Sequence, residues 1–266
     1  MNLFKKRNRK PEYGWFGNYG SWEEASALCD GYDQDNILQK TRQALLLVKN
    51  GDAVYERDSV IFSESEYPYP LLTYLMDDAR YKKRGLNVLD FGGSLGSTYF
   101  QIKEFLSPEV CSSWNIIEQQ HYIDCGKQFF EDDVLKFHYS ISECQRSSKI
   151  DFVVLSSVVQ YLPDPHTFLD ELVSCGFDTI LVDRTAFVNE GPDRLTVQRV
   201  WPSVYEASYP AWFFDREEFI AHFKKDYHLR ASFENYIPGE AVMEIDNKPA
   251  AYSKGFCFKR RVLRKV

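Results

Sequence analysis

A short stretch of small residues follows an apolar run that carries an aspartate near its end. The run from Leu86 to Phe91 contains Asp90, and it continues with four small residues: Gly92, Gly93, Ser94 and Gly96. Such residues let a ligand approach the backbone N–H groups at the start of a following helix. The pattern therefore predicts a strand, a tight turn and a helix start that together bind a nucleotide-type cofactor.

The spacing in this loop distinguishes between cofactor classes. It runs D-x-G-x-S-x-G from Asp90 to Gly96, which fails the G-x-G-x-x-G spacing of dinucleotide-binding loops. The spacing instead fits a D/E-x-G-x-G-x-G loop, with Ser94 in the place of the middle glycine. An ordinary strand-to-helix turn and a nucleotide-dependent oxidoreductase remain as alternatives.

A second acidic residue strengthens the prediction of a cofactor site. Glu118 ends the next apolar run, 22 residues after Gly96, and Gln119 follows it. A carboxylate at the end of the second strand can accept both ribose hydroxyls of a bound adenosine. The alternative for Glu118 alone is a solvated strand end.

A third strand end carries small polar residues. The run Ile150 to Leu155 is followed by Ser156 and Ser157, and then by Tyr161 in a polar and aromatic turn. Small residues at this edge leave room for a cofactor and for the approach of an acceptor. The alternative is a strand end with a helix cap. We predict that Ser156 and Ser157 bind the cofactor and that Tyr161 belongs to the catalytic set.

Candidate general bases follow other strand ends. Asp183 ends the fifth predicted strand, His121 comes shortly after Glu118, and His166 begins a later helix. A base is needed if the acceptor is an oxygen of high pKa. Structural roles remain open for both histidines, and a helix cap or ion pair remains open for Asp183 and its neighbour Arg184. We predict Arg184 as a substrate-binding residue.

Arg57 lies between two acids in an otherwise apolar context, Tyr55 to Asp58. A buried arginine needs an anionic partner, because leaving its charge unpaired is costly. One interpretation is that Arg57 recognises a phosphate or carboxylate on an acceptor. The alternative is an internal ion pair with Glu56, Asp58 or Asp33.

Residues 185–214 show no clean period and contain three prolines. A loop of this length inside a compact domain is usually functional, which predicts a lid or a sugar-stacking wall. Plain packing under a lid is the alternative. The aromatic residues of this segment are Trp201, Tyr205, Tyr209 and Trp212, of which we assign Tyr205 and Trp212 to substrate binding.

Composition restricts the class of protein. The chain has 266 residues with 44% hydrophobic content and a net charge of −7. It contains no run of 18 apolar residues, so we expect no membrane span. An acidic chain repels phosphate backbones, so nucleic acid is not an expected partner. Basic clusters at both ends are interpreted as solvated termini or a docking patch.

The cysteines and the first residues indicate the compartment. Six cysteines lie far apart without a C-x-x-C pair, which favours reduced thiols over a disulfide frame or a zinc site. The chain begins without an apolar signal segment. We therefore expect a cytoplasmic protein with no bound metal; the sequence does not indicate its oligomeric state.

The order of elements predicts an α/β fold. Residues 1–84 form a mostly helical cap, with a packed aromatic loop at 13–22 and a helix at 35–49. Residues 85–266 alternate strands with helices, which is typical of a Rossmann-like doubly wound sheet. Two strands close the chain. We therefore expect about seven strands, with a C-terminal antiparallel hairpin.

The chain resembles class I S-adenosylmethionine-dependent methyltransferases over roughly residues 85–260. More narrowly, it is similar to a family of methyltransferases associated with bacterial surface-polysaccharide gene clusters. The matching segments are Trp15-x-Gly17-x-Tyr19-x-Ser21-Trp22, Gly31-Tyr32-Asp33, Tyr55-Glu56-Arg57-Asp58, the loop Asp90 to Ser97, and Glu118-Gln119.

The resemblance implies a function and roles for the loop residues. It implies that Gly92 and its neighbours contact the methionine end of S-adenosylmethionine, that Glu118 holds the ribose, and that Ser142 and Glu143 lie near the adenine. We therefore expect O-methylation of a small-molecule or glycan acceptor, with or without a phosphate. A non-catalytic binding protein of the same fold is the leading alternative.

Overall fold

The computed structural model describes residues 13–29, 35–202, 204, 206–237 and 239–261. Thirteen strands occur in this part of the chain. They are β1 Gly14–Tyr19, β2 Tyr55–Arg57, β3 Val60–Phe62, β4 Leu86–Phe91, β5 Cys111–Ile117, β6 Leu135–His138, β7 Phe152–Ser156, β8 Thr179–Val188, β9 Arg194–Arg199, β10 Ser208–Phe213, β11 Tyr227–Glu234, β12 Met243–Ile245 and β13 Lys248–Arg260.

Eight α-helices surround the strands within the same residues. They are α1 Trp22–Ser26, α2 Asp35–Asn50, α3 Tyr69–Lys82, α4 Ser97–Ile102, α5 Gln120–Phe129, α6 Ile141–Ser147, α7 Pro165–Ser174 and α8 Arg216–Ala221. Two short 3₁₀ helices, Lys103–Phe105 and Val159–Tyr161, complete the set. The α/β architecture predicted from the sequence is confirmed.

The central sheet runs in the order β6-β5-β4-β7-β8-β13-β11. The first five strands are parallel, whereas β13 is antiparallel to both of its neighbours, β8 and β11. The carboxyl ends of the five parallel strands therefore meet along one edge, where open α/β sheets bind ligands.

Alternating strand residues supply two hydrophobic cores, one on each face of the sheet. Val88 and Trp114 pack in a cluster with residues from α3 and α5, while Leu89 packs in a cluster with residues from α7 and α8. Leu45 of α2 and Leu75 of α3 belong to the first cluster. The segment before β4 thus shares its core with the sheet.

Four further strands extend the sheet beyond the carboxyl ends of its parallel strands. β8 and β13 continue past that edge, and β12, β1, β9 and β10 add to the first half of β13 in that order. The residue after β10, Phe214, contacts β8 again: its backbone forms hydrogen bonds with Ala186 and Val188. We call these four strands, with the second half of β8 and the first half of β13, the wing.

The wing corrects two expectations. The predicted aromatic loop at 13–22 contains strand β1, and the predicted lid at 185–214 contains the end of β8, then β9 and β10. The sheet consequently has eleven strands among the described residues instead of about seven. Pro210 fits in β10 because β10 is an edge strand of the sheet, with β9 as its paired neighbour among the described residues.

The basic cluster at the C-terminal end makes tertiary contacts where it is described. Lys259 donates to Asp78 at 2.7 Å, Arg260 to the carbonyl of Gly176 and Arg261 to that of Tyr227. These residues therefore belong to the fold. The other members of the two basic clusters, Lys5, Lys6, Arg7, Arg9, Lys10, Arg264 and Lys265, lie outside the described residues, as does the motif Gly31-Tyr32-Asp33.

Candidate functional site

A cavity of about 800 Å³ lies at the carboxyl ends of the parallel strands. The sheet contributes Asp90 from β4, Glu118 after β5, and Ser156 from β7 to its lining. The hairpin β2–β3 and the wing also line the cavity, for example through Arg57 and Tyr209. Residues predicted separately at several strand ends are thus brought to one cavity.

The glycine loop turns sharply from β4 into α4. Gly92 has φ +75°, and a side chain there would place its Cβ 2.3 Å from Cγ2 of Val158. The Gly92 N–H donates to the carbonyl of Ile117 at 2.8 Å, which fixes the loop against β5. A Cβ on Gly93 would lie 2.6 Å from the Asp90 carboxylate. Close approach of neighbouring groups therefore requires both glycines.

Ser94 occupies a position that favours glycine. Its φ is +54°, in the left-handed region, and it lines the cavity. That conformation costs a non-glycine residue about 1–2 kcal/mol. Gly96, at φ +105°, does not line the cavity but precedes α4. The loop thus keeps its turn with serine in place of the middle glycine.

Asp90 is 2% exposed at the base of the loop. The indole Nε1 of Trp114 donates to its carboxylate at 3.1 Å. Burial raises the pKa of Asp90 to about 7, and the hydrogen bond from Trp114 only partly offsets it. A cation or a hydrogen-bond donor entering the cavity would favour the ionised form.

Glu118 is half-buried at the cavity edge, and its Oε2 accepts from the N–H of Gln119 at 3.0 Å. Burial raises the pKa of Glu118 to about 7, and the nearby Asp90 carboxylate raises it further. Gln119 also lines the cavity, as do Ser140 and Ile141 at the start of α6.

The residues expected near an adenine, Ser142 and Glu143, do not line the cavity. Glu143 caps α6: its N–H donates to Ser140 Oγ at 3.1 Å, and its Oε2 accepts from the N–H of Tyr139 at 2.7 Å. The cavity wall at this place is formed by their neighbours Ser140 and Ile141.

The end of β7 contributes Ser156, Ser157 and the following 3₁₀ helix to the cavity. Gln160 donates to Ser157 Oγ at 3.3 Å and to the carbonyl of Arg184 at 3.1 Å. The hydroxyl of Tyr161 donates to Gln198 Oε1 at 2.9 Å, which joins this helix to the wing. Burial raises the pKa of Tyr161, so its hydroxyl stays protonated near neutral pH.

Arg184 projects into the cavity from β8, one residue beyond the predicted strand end. Its side chain is 14% exposed and lies 3.3 Å from Glu240 and 4.0 Å from Asp58. Burial opposes the charge, but the carboxylates of Glu240 and Asp58 outweigh it and raise the pKa of Arg184. The guanidinium therefore stays cationic beside the cavity.

Arg57 lines the cavity, but its charge is paired with a carboxylate that does not line it. Its guanidinium bonds to Glu66 at 2.8 Å and lies over the ring of Phe62 at 4.8 Å from the centroid. The internal ion pair considered for this residue therefore exists, but its partner is Glu66 and not one of the adjacent acids.

Glu56 is a site residue that sequence reasoning missed. It is 2% exposed, and it accepts hydrogen bonds from Ser97 Oγ and, at 3.0 Å, from the N–H of Ser59. Burial raises the pKa of Glu56 to about 7. Its position in the charged segment around Arg57 was a signal, but the sequence did not show that it faces the glycine loop.

The predicted general bases do not line the cavity. Asp183 is 3% exposed and accepts from the N–H of Arg184 at 2.8 Å; burial raises its pKa to about 6. His121 has a buried Nε2 that contacts no hydrogen-bond partner. His166 bonds to His222 at 2.8 Å and to Asp193 at 2.6 Å, in a cluster that joins α7 to α8.

Aromatic residues form part of the wing wall. Trp15, Trp201 and Tyr209 line the cavity, whereas Trp212 points elsewhere and donates to the carbonyl of Leu162 at 3.2 Å. Tyr205, a predicted substrate-binding residue, lies outside the described residues. An aromatic wall therefore exists, but β1, β10 and the β9–β10 connection supply it.

Among the described residues that line the cavity, carboxylates outnumber cations. The carboxylates are Glu56, Asp58, Asp90, Glu118, Glu171 and Glu240, and the cations are Arg57 and Arg184. Across the described ranges, no group of three or more His, Cys, Asp or Glu side chains is placed to hold a metal ion. No helix in the same ranges combines the length and apolar character needed to cross a membrane.

Comparisons with known proteins identify the fold. No protein-family model matches the chain, and no curated protein matches it. The N-terminal domain of EvdMO1, crystallised in the presence of SAH and D-fucose, is 11% identical with a TM-score of 0.50; the match covers 86% of this chain and 98% of that one. At this identity, the likeness shows that the two share a fold.

Two further solved structures align at a TM-score of 0.45 and 12% identity. One is the Burkholderia thailandensis 1,6-didemethyltoxoflavin-N1-methyltransferase with bound 1,6-didemethyltoxoflavin and S-adenosylhomocysteine, covering 92% of this chain and 93% of that one. The other is the magnesium protoporphyrin IX methyltransferase of Synechocystis PCC 6803 with bound SAM, covering 87% of each chain.

Proposed function

We propose that this chain is an S-adenosylmethionine-dependent methyltransferase. The observation that carries the proposal is the meeting of the glycine loop and Glu118 in one cavity at the carboxyl edge of the sheet. The fold shared with the EvdMO1 domain, which was crystallised with SAH, supports it. The cofactor would supply a methyl group already activated on a sulfonium.

The cofactor half of the cavity comprises residues 90–94 and Ser97 of the loop, together with Glu118, Gln119, Ser140, Ser156 and Ser157. The loop backbone would approach the methionine end, and Gly92 and Gly93 allow its tight turn because a Cβ at either position would collide with Val158 or Asp90. The Glu118 carboxylate would accept the ribose hydroxyls. Orientation of this kind can supply about 7–11 kcal/mol of a displacement barrier.

The acceptor half comprises Arg57, Arg184, Tyr161, Tyr209, Trp201 and Glu240. A buried cation beside polar and aromatic side chains suits a small-molecule or glycan acceptor, with or without a phosphate, that presents a hydroxyl for O-methylation. Trp212 does not line the cavity, so it is not part of this half, and Tyr205 lies outside the described residues. A role in polysaccharide biosynthesis in the cytoplasm is part of the same proposal.

Transfer to a hydroxyl requires a proton acceptor. Asp183, His121 and His166 were the candidates from sequence, but none of them lines the cavity. The carboxylates on either side of Arg184, Asp58 and Glu240, line it and replace them in the proposal. Asp183 would then act by holding the Arg184 backbone through the bond to its N–H.

Calorimetric titration with S-adenosylhomocysteine tests the cofactor assignment. The wild-type protein should bind it, and Glu118→Ala should weaken binding about 10–150-fold, because a hydrogen bond to a charged group contributes about 1.5–3 kcal/mol. Glu64→Ala, at an exposed position on the β2–β3 side, is the control and should bind like the wild type. No binding by the wild type at high micromolar ligand contradicts the proposal.

A non-catalytic binding protein of the same fold is the second candidate. It is favoured by the position of Asp183 and His121 away from the cavity. Such a protein would bind S-adenosylhomocysteine but would transfer no labelled methyl group to any acceptor. The two candidates therefore differ in one assay, the transfer of label.

A further inference from the structure

Glu56 is a buried carboxylate whose hydrogen-bond partners are neutral. The two donors that contact it are Ser97 Oγ and the N–H of Ser59. The adjacent cation, Arg57, points away and bonds to Glu66. The described contacts of Glu56 therefore contain no ion pair, although the residue is 2% exposed.

A buried carboxylate is expensive unless a cation or several hydrogen bonds compensate for its lost hydration. Asp58 carries the same sign and adds to the cost, whereas the charge of Arg57, which is paired with Glu66, offsets only part of it, because burial still raises the pKa of Glu56. Glu56 nevertheless lines the cavity, so a ligand can contact it. The site is therefore suited to a ligand that brings a positive charge.

The hydrogen bond from Ser97 fixes where that charge would lie. Ser97 is the first residue of α4, directly after the glycine loop. Glu56 is thus held beside the loop, while Glu118 follows the neighbouring strand β5. The two carboxylates therefore reach the cavity from different elements, Glu56 from β2 and Glu118 from the end of β5.

We propose that Glu56 binds the α-ammonium group of the cofactor's methionine end. The inference rests on the proposed function, which sets that end against the glycine loop. The proposed function assigns Glu118 to the ribose, and Asp90 already accepts from Trp114 Nε1 at the base of the loop, which leaves Glu56 for the ammonium group. The β2–β3 hairpin would then take part in cofactor binding as well as in acceptor binding.

Proton release follows from this assignment. Burial raises the pKa of free Glu56 to about 7, so a large fraction is protonated at neutral pH. An ammonium group at hydrogen-bond distance lowers that pKa and expels the proton. Binding of a ligand with the ammonium should therefore release more protons at pH 7 than binding of one without it.

A ligand series tests the assignment by calorimetry. S-adenosylhomocysteine and its decarboxylated form keep the ammonium, whereas 5′-methylthioadenosine lacks the whole amino-acid part. Glu56→Gln should lower the affinity for the first two ligands at least tenfold and change the affinity for the third by no more than about twofold. Glu64→Gln removes an exposed carboxylate after β3 and should change none of the three.

Other outcomes overturn the assignment and leave the proposed function intact. Equal losses for all three ligands mean that Glu56 has a structural role. A loss of affinity for S-adenosylmethionine without a loss of affinity for S-adenosylhomocysteine means that Glu56 faces the sulfonium. If the wild type binds none of the ligands, the proposed function itself fails.

Two measurements remain decisive if Glu56→Gln does not fold. The wild type alone, titrated at pH 7 in buffers of different ionisation enthalpy, should release more protons with S-adenosylhomocysteine than with 5′-methylthioadenosine. Ser97→Ala keeps the Glu56 charge but removes its orienting hydrogen bond, and should weaken S-adenosylhomocysteine severalfold. Equal proton release by the two ligands overturns the assignment.

Discussion

The two halves of the cavity are built in different ways. The cofactor half comes from consecutive strand ends of a parallel sheet, so each of its residues follows a recognisable apolar run. The acceptor half combines the β2–β3 hairpin with the wing, whose strands come from both ends of the chain. Local sequence therefore predicts most of the first half. In the second half it singles out Arg57, Arg184 and Tyr161, but only the fold shows that they share a cavity with Glu240.

The difference also extends to charge. In the cofactor half, burial raises the pKa values of Asp90 and Glu118 to about 7, and neither carboxylate has an arginine partner among the described residues. In the acceptor half, Arg184 lies between Glu240 and Asp58. One half can thus respond to pH near neutrality while the other keeps a permanent cation. Variants in each half should affect different measurements.

The largest effect is expected from Gly92→Ala. The new Cβ would lie 2.3 Å from Val158 at a φ of +75°, so left-handed strain of about 1–2 kcal/mol and overpacking of about 1–3 kcal/mol should both lower the free energy of unfolding. Gly191→Ala, at φ +93° with no atom within 4 Å, carries the strain alone. Denaturant unfolding of both variants and titration with S-adenosylhomocysteine measure the difference. Equal behaviour would contradict the packing argument.

Arg184→Gln should impair the acceptor half of the cavity and leave the cofactor half unaffected. Acceptor methylation should fall about 10–150-fold, because a charged hydrogen bond contributes about 1.5–3 kcal/mol, while affinity for S-adenosylhomocysteine stays within about twofold. Arg184→Lys should recover only part of the loss, since lysine lacks the planar fork of donors. Labelled methyl transfer and calorimetry check the two effects. A matching loss of cofactor affinity would show that the halves are not separate.

The pH dependence of cofactor binding sharpens the comparison. A carboxylate that accepts ribose hydroxyls binds best when ionised, and the pKa of free Glu118 is raised to about 7. Affinity for 5′-methylthioadenosine should therefore rise between pH 6 and pH 8 and level off above that. Glu118→Gln should make the rise shallower. Calorimetry across this pH range tests the prediction. If Glu118→Gln leaves the pH dependence of affinity unchanged, Glu118 does not bind the ribose.

Ser94 gives the smallest expected effect. Ser94→Gly relieves left-handed strain but adds freedom to the unfolded chain, so the free energy of unfolding should rise by no more than about 1 kcal/mol. Ser94→Val places a β-branched residue at positive φ and should destabilise the protein clearly. Thermal unfolding distinguishes the two. Stability of Ser94→Val equal to the wild type would contradict the strained geometry of the loop.

Much of the cofactor half was predictable from sequence. The strand Leu86–Phe91 and the following turn are confirmed, because a continuous apolar run ends in residues that allow positive φ. The helix expected at 35–49 is also confirmed, as Asp35–Asn50. These elements depend on local periodicity, and periodicity is visible without the fold.

The wing could not be predicted, for physical reasons that particular residues show. Gly14 and Gly17 interrupt the apolar pattern of β1, and Pro210 lies inside β10, so neither segment has the features of a strand. Their strand structure comes from pairing with distant partners, such as Trp15 with Gln198. The position of Glu56 beside the glycine loop also depends on a contact between segments distant in sequence, its hydrogen bond with Ser97.

The most direct test is the transfer of labelled methyl from S-adenosylmethionine into a cell-envelope extract of the organism that encodes the chain. The wild-type protein should label an acceptor, Gly191→Ala should do so as well, and Gly92→Ala should not. An extract that stays unlabelled while the wild type binds S-adenosylhomocysteine would contradict the methyltransferase assignment and favour a binding protein.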